Sequence, residues 1–327
     1  MIRKYWTQEE ENFIRNNLSD FTVKELAAHF KVPYLKMVDK IHKMGLNSKK
    51  ARNIIWTPEE DLLLSKHFEY APKNYLMNLF PNRTWVGILQ RGNKTLKLNR
   101  LSQDKYSIDY NFFSEWNEYS AYYVGFFLAD GHISYKCNER KAVYLQCVLA
   151  ERDIDILEKF KKLTNFEGKI LESSKAKQMK IVNNICQATR AIELQINNTK
   201  IVEDLIKKGI DPECKTYTAK FNKNIPSKYI RDYVRGLIDG DGWVASENAK
   251  NFAIGITGTY DICLNVKNFI NPSSVAKPRQ TSENCWAYSV SGKRAYNIAK
   301  LLYEDAKIYL DRKYNNFLKT KQKYEIY

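Results

Sequence analysis

Two aspartates carry the chemistry that can be read from this sequence. Asp130 sits near the end of the run Tyr123-Val124-Gly125-Phe126-Phe127-Leu128-Ala129-Asp130-Gly131. Asp241 holds the same place, 111 residues later, in Val234-Arg235-Gly236-Leu237-Ile238-Asp239-Gly240-Asp241-Gly242. One Asp-Gly pair marks no more than a turn, but two in matching apolar contexts predict a common site. If each run is a helix, both carboxylates stand at helix C-termini, where free carbonyls already give partial negative charge. Like charges brought together there repel and raise each other's pKa. A divalent cation relieves the repulsion, and hard oxygen ligands with retained water suit Mg²⁺, with Mn²⁺ as a substitute. Paired metals beside a phosphodiester activate water and stabilise the leaving oxygen.

The elements that must position these acids follow from the same runs. Gly125 and Gly236 inside apolar helices cost about 1 kcal/mol each relative to alanine. Close helix–helix approach offsets that cost, so the two helices are expected to cross at the glycines about a pseudo-twofold axis. Downstream of the first run the pattern predicts strands at 132–135, 143–149, 168–171 and 189–196, with helices at 153–163 and 200–208. Downstream of the second it predicts strands at 243–245, 252–256, 274–277 and 287–291, with helices at 260–269 and 294–303. The expected fold class is α+β. Polar alternation along the strands predicts a basic sheet face in each half. Lys136, Arg140, Lys169, Arg190 and Gln195 are the candidate nucleic-acid contacts of one, and Lys250, Lys277, Arg279 and Gln280 of the other.

The paired runs resemble the motifs of the LAGLIDADG homing endonucleases in their single-chain, two-motif form, over residues 118–327. The resemblance implies an αββαββα unit per half (118–224 and 225–327) and a saddle of two sheets in the DNA major groove. It implies double-strand cleavage with short 3′ overhangs by a monomer, with Asp130 and Asp241 as metal-binding catalytic acids. The carbonyls of Ala129 and Gly240 are implied as further metal ligands. It also implies a lysine near each scissile phosphate: Lys215 by position in the first half, and Lys313 in the second with Arg312 as its competitor. An ammonium there would polarise water or offset phosphate charge. Leu128 departs from the pattern where the second run has Asp239, at a position that does not bind the metal. A non-cleaving DNA-binding regulator and an RNA maturase are alternative uses of the same fold.

Ahead of these halves lies a duplication. Tyr5-Trp6-Thr7-Gln8-Glu9-Glu10-Glu11 recurs as Ile55-Trp56-Thr57-Pro58-Glu59-Glu60-Asp61, and Gly45-Leu46-Asn47 recurs as Lys97-Leu98-Asn99. Thr7 with Glu10, Thr22 with Glu25 and Thr57 with Glu60 form capping boxes. Pro58 fits a first helical position, and Gly45 a left-handed cap. Each copy (1–50 and 51–100) is predicted to be a small three-helix domain. In the third helix of the first copy, Val38 and Ile41 are expected to face the core, with Lys36, Lys40 and Lys43 on a basic stripe. The second copy offers Trp85, Ile88 and Leu89 as core, with Gln90, Arg91 and Lys94 outward. These copies resemble Myb/SANT-type helix-turn-helix domains, in which Trp6, Trp56 and Trp85 would be core anchors. The aromatic linker 101–117 either packs on the following domain or lies along DNA.

Composition is consistent with this reading. The 327 residues carry a net charge of +16, with +8 on residues 1–105 and +8 on the rest, which favours a polyanionic partner, nucleic acid before membrane. Aromatic content of 13% excludes a largely disordered chain. The six scattered cysteines and four histidines show no zinc-ligand spacing. The longest apolar stretch, 121–129, falls short of the roughly 20 residues needed to span a bilayer. With no apolar leader at the N-terminus, the expected location is intracellular and soluble, cytoplasmic or with the nucleoid.

Overall fold

The computed structural model describes residues 5–18, 20–46, 56–101, 106–135, 143–173, 180–181, 184–185, 190–212, 215–244 and 252–325. The chain forms two compact units, Met1–Leu62 and Leu63–Tyr327.

The first unit contains α1 (Gln8–Asn17), α2 (Val23–His29) and α3 (Tyr34–Lys43). Both of its capping boxes form: the Glu10 and Glu25 amides donate to Thr7 and Thr22 Oγ1 at 3.2 Å, and each glutamate accepts from its threonine's amide. Ile14, Leu26, Ala27, Met37 and Ile41 make the core, with Trp6, Phe13 and Phe30 packed against it. Met37, four residues before Ile41, takes the inward position expected of Val38, which is 38% exposed. Gly45 ends α3 at φ +65°.

The second copy of the duplication comprises α4 (Pro58–His67), α5 (Lys73–Leu79) and α6 (Trp85–Gln90), and α6 continues as a π-helical turn over Arg91–Thr95. That turn explains a shift in spacing. Met37 and Ile41 correspond to Ile88 and Gly92 at an offset of 51, whereas Gly45 corresponds to Lys97 at 52. Lys97 adopts the same left-handed conformation, φ +54°. The Leu46 amide reaches back five residues to the Ile41 carbonyl, and the Leu98 amide reaches back six to Gly92. One residue has been inserted and absorbed by the wider turn. A methyl group on Gly92 would lie 2.4 Å from the Phe68 ring, so the turn sits directly on α4's end.

Residues 106–117 pack within the second unit. Phe113 and Ile108 are buried, and Phe112, Phe113, Tyr123, Phe127 and Phe160 form an edge-to-face cluster. The second helical copy is tied to the same body: Tyr110 Oη meets His67 Nδ1, and Asn198 Nδ2 donates to the Tyr70 carbonyl at 3.0 Å.

The first half then runs α7 (Glu118–Asp130), β1 (Gly131–Ser134), β2 (Tyr144–Ala150), α8 (Ile154–Thr164), β3 (Leu171–Glu172), a β4–β5 ladder (Lys180–Ile181, Asn184–Ile185), β6 (Ala191–Ile196), α9 (Thr199–Lys207) and α10 (Lys215–Thr218). The second runs α11 (Ile230–Asp241), β7 (Gly242–Val244), β8 (Ala253–Gly258), α12 (Tyr260–Ile270), β9 (Arg279–Ser282), β10 (Cys285–Ser291), α13 (Gly292–Tyr303) and α14 (Asp311–Glu325). The sheets share one antiparallel topology, β1-β2-β6-β3 and β7-β8-β10-β9. In β2 and β6 alternate residues turn inward, so Leu145, Cys147, Ile192, Leu194 and Ile196 are buried.

Further expectations needed correction. The strand expected at 168–171 is confined to β3, Leu171–Glu172. Residues 274–277 are not a strand: the Ser274 amide closes a turn on Asn271, Val275 is 98% exposed, and Pro278 cannot donate to a ladder, so β9 starts after it. The long helix α14 was not anticipated, because its run of lysines and asparagines has no strong apolar period. Among the described residues no helix is long and apolar enough to cross a membrane.

Candidate functional site

The two motif helices cross where the glycines stand. A methyl group on Gly125 would lie 2.2 Å from the Tyr233 carbonyl oxygen, and one on Gly236 would lie 2.0 Å from that of Tyr122. Each helix therefore approaches the other's backbone through a position only hydrogen can fill. Asn117 caps the start of α7 by accepting from the Tyr119 and Ser120 amides.

Asp130 and Asp241 are the last residues of α7 and α11. The helix ends abut at Gly240: a methyl group there would lie 2.3 Å from the Ala129 Cβ and 3.2 Å from Asp130 Oδ2. The first acid thus lies against the residue preceding the second. Gly131 and Gly242 leave the helices in extended conformation and pair at once with Cys147 and Ile256, so each acid stands at a helix–sheet junction. Thr257 Oγ1 donates to the Asp241 carbonyl at 2.9 Å. Asp241, Leu128, Ala129, Thr257, Glu283 and Cys285 line a cleft of about 390 Å³.

Lys313 is placed differently from the lysine expected to face a phosphate. It is only 2% exposed, and its ammonium donates to the carbonyls of Ile238 at 2.6 Å and of Asp239 and Gly242 at 2.7 Å. At the end of α11 the Gly242 amide also reaches the Ile238 carbonyl, so Lys313 is a second donor there and joins it to the terminal carbonyls that follow. Burial pulls the ammonium down to about 8, with the nearby Asp239 and Asp130 charges acting the other way. Arg312 is held in a two-point ion pair with Asp153 at 2.9 and 3.0 Å. The Lys215 backbone opens α10, and its side chain lies outside the described residues.

Asp239, which sequence reasoning set aside, anchors this end of the structure. Its buried carboxylate accepts from Tyr303 Oη at 2.6 Å, Tyr122 Oη at 2.8 Å and the Leu310 amide at 2.9 Å. Burial raises its pKa, and Lys313 with these donors opposes the rise. Fully buried Arg235 donates to the Ile308 and Leu302 carbonyls and to Asp232, at 2.6 to 2.9 Å. The available signal was the mismatch of Asp239 with Leu128 inside an otherwise repeating run.

The candidate nucleic-acid contacts are spread over both units. Lys36 and Lys43 are exposed, Lys43 beside Asp39 at 2.8 Å. Lys40 is turned inward, onto Glu11 and the Trp6 ring. Arg91 is half-buried and Lys94 exposed. Lys169, Gln195, Lys277, Arg279 and Gln280 are exposed, and Arg190 lies 3.5 Å from Glu172. Lys136, Arg140 and Lys250 lie outside the described residues. Among the described residues the sheet faces are polar rather than basic. His132, Gln146 and Gln195 lie in one register row, and Gln146 Nε2 donates to Glu193 at 2.6 Å.

Among the described residues no group of three or more His, Cys, Asp or Glu is arranged to hold a metal. A cation at the helix ends would therefore rest on the two carboxylates, backbone carbonyls and water, a donor set of hard oxygens that suits Mg²⁺.

No protein-family model matches the chain, and no curated protein matches it in sequence. Its structural neighbours include the LAGLIDADG meganuclease I-AabMI bound to uncleaved DNA, at 12% identity and a TM-score of 0.42, covering 64% of this chain and 92% of that one. They also include the meganuclease I-SmaMI bound to uncleavable DNA (14%, TM-score 0.42, 65% and 91%) and the LAGLIDADG homing endonuclease I-LtrWI bound to target DNA (12%, TM-score 0.41, 66% and 92%).

Proposed function

We propose that this chain is a site-specific, Mg²⁺-dependent DNA endonuclease of the LAGLIDADG homing type, with two N-terminal Myb-like modules that extend its footprint. One observation carries the reading: two aspartates end two helices that cross at facing glycines, and the ends abut at Gly240. Two acids held at two helix C-termini are costly unless a cation lies with them.

Asp130 and Asp241 hold the metal, joined by the carbonyls of Ala129 and Gly240. When bound, the metal supplies activated water and charge stabilisation at the leaving oxygen. Gly125 and Gly236 set the separation of the acids. Lys313 fixes the carbonyl end of α11 and so the direction of Asp241, and Lys215 is assigned on the resemblance as a lysine that faces a scissile phosphate. Both strands are cut with short 3′ overhangs, and one chain supplies the whole site. Exposed lysines contribute salt-sensitive affinity through phosphates, and the sheet faces read bases.

The test is incubation of the chain with a plasmid library and Mg²⁺. A sequence-specific linear product is expected. Asp130→Asn and Asp241→Asn should each abolish cutting and spare DNA binding, and either variant cutting at the wild-type rate would overturn the assignment. RNA-splicing activity without DNA cleavage would favour a maturase.

A further inference from the structure

The second helical module presents an outward row that differs chemically from its counterpart in the first. Along α6 and the π-helical turn, Ile88 and Gly92 point inward, while Val86, Gln90, Asn93 and Lys94 are exposed, Val86 to 61%. At the offset of 51 these positions correspond to Leu35, Asp39, His42 and Lys43. There the Asp39–Lys43 ion pair occupies the places of Gln90 and Lys94. The first module thus shows a carboxylate where the second shows an amide.

Charge favours an anionic partner for the second row. From residue 70 to residue 103 the chain contains no aspartate or glutamate, and it contains six lysines and arginines. Of these, Lys73, Lys94 and Lys97 are exposed. Arg100 is spent internally, donating to the Phe68 and Ala71 carbonyls beneath the Trp85 ring. The helix is also held firmly, by Gly92 against Phe68 and by Arg100 over Trp85.

Resting on the DNA reading above, we infer that this row is a base-reading edge specific for A·T pairs in the major groove. Asparagine and glutamine match the N6 donor and N7 acceptor of adenine with two hydrogen bonds, and an aliphatic side chain packs on the thymine methyl group. Gln90 and Asn93 each read one adenine, Val86 meets a thymine methyl, and Lys94 contacts phosphate. An exposed carboxylate at position 39 only accepts and cannot make the two-bond adenine pairing, so the first module does not read adenine at this row.

The experiment is selection of binding sequences by the full chain from a randomised duplex library in EDTA, followed by affinity measurements on the selected site and its single-pair variants. Wild-type selection should recover at least two A·T pairs in a segment lost by neither Asp130→Asn nor Asp241→Asn. Gln90→Ala and Asn93→Ala should each lower discrimination at one such pair about tenfold, at unchanged thermal stability. Lys94→Ala should instead weaken binding on all sequences and lower the salt slope by about 1. Unchanged preference in Gln90→Ala and Asn93→Ala with duplex binding intact overturns this inference alone, as does a G·C pair at the affected positions. Failure to bind any duplex overturns the DNA reading with it.

Discussion

The Lys313 ammonium donates to the backbone carbonyl of Asp239, while the Asp239 carboxylate is turned to two tyrosine hydroxyls and the Leu310 amide. One residue of α11 is thereby gripped at both its main chain and its side chain, two positions before the second acid. The grip ties α7, α11, α13 and the start of α14 into one block.

Removal of Lys313 should therefore act on geometry rather than on DNA affinity. In Lys313→Met the carbonyls of Ile238, Asp239 and Gly242 lose their shared donor. A buried polar group left unpaired costs about 1–3 kcal/mol, which denaturant titration would show. Displacement of Asp241 should lower kcat about a hundredfold while gel-shift affinity stays near wild type. Lys313→Arg should restore neither fully, because a planar guanidinium does not fit a site shaped around an ammonium. Wild-type kcat in Lys313→Met would refute the positioning role.

The helix crossing makes an unequal set of glycine predictions. Gly236→Ala drives a methyl group into the Tyr122 carbonyl, and Gly125→Ala into that of Tyr233. Each should destabilise the second unit by about 3 kcal/mol or more, since backbone must move. Gly45→Ala meets no neighbour within 4 Å and suffers only from its positive φ, about 1–2 kcal/mol. Equal midpoint shifts in thermal denaturation for Gly45→Ala and Gly236→Ala would contradict the close approach.

In the first module, Lys36 and Lys40 should behave differently although both belong to the expected basic stripe. Lys36→Met should reduce the slope of log affinity against log salt by about 0.9, one phosphate contact. Lys40→Met should leave the slope unchanged and lower the module's stability, because its ammonium is engaged by Glu11 over the Trp6 ring. A slope change in Lys40→Met would show that this side chain leaves Glu11 for DNA.

Alkaline pH should unfold the second unit early. Burial pushes the Tyr110 phenol up to about 12 and the Cys263 thiol up to about 12, and it holds Tyr122, Tyr123 and Tyr303 well above the usual phenol range. The unfolded chain releases these protons near the ordinary values of about 8.5 for Cys and 10 for Tyr. The folded state holds them more tightly, so their contribution is full below about pH 8.5 and lost as pH rises towards 12. Phenolate absorbance should show a group of tyrosines that ionise only together with loss of helical circular dichroism. Smooth ionisation of all 22 tyrosines near pH 10 with the fold intact would refute this.

Much of the architecture was legible in the sequence because its signals are local and doubled. The capping threonines, Pro58, the motif glycines and the strand alternation all act through near neighbours, and each half repeats the other. What escaped depends on distant partners. Nothing near Lys313 announces that its ammonium would turn to the end of a helix some 70 residues earlier. The inward turn of Lys40 depends on Glu11, 29 residues away. Asp239 was passed over because the resemblance gives it no part in holding the metal, whereas its three donors come from residues 122, 303 and 310. The π-helical turn left only a one-residue change in the repeat offset.

Tyr122 belongs to the first half and Asp239 to the second, and their hydrogen bond crosses the pseudo-twofold axis. The halves are consequently not interchangeable cassettes. A chimera that keeps α11 but takes its other half from a different protein loses one of the three donors to the buried Asp239 carboxylate unless a hydroxyl arrives at position 122. The reverse graft, with the first half duplicated, puts a leucine where Asp239 stands and leaves the Tyr122 hydroxyl without its acid. Recombination between such chains is constrained to exchange partners as matched pairs, even where the glycine crossing itself is shared.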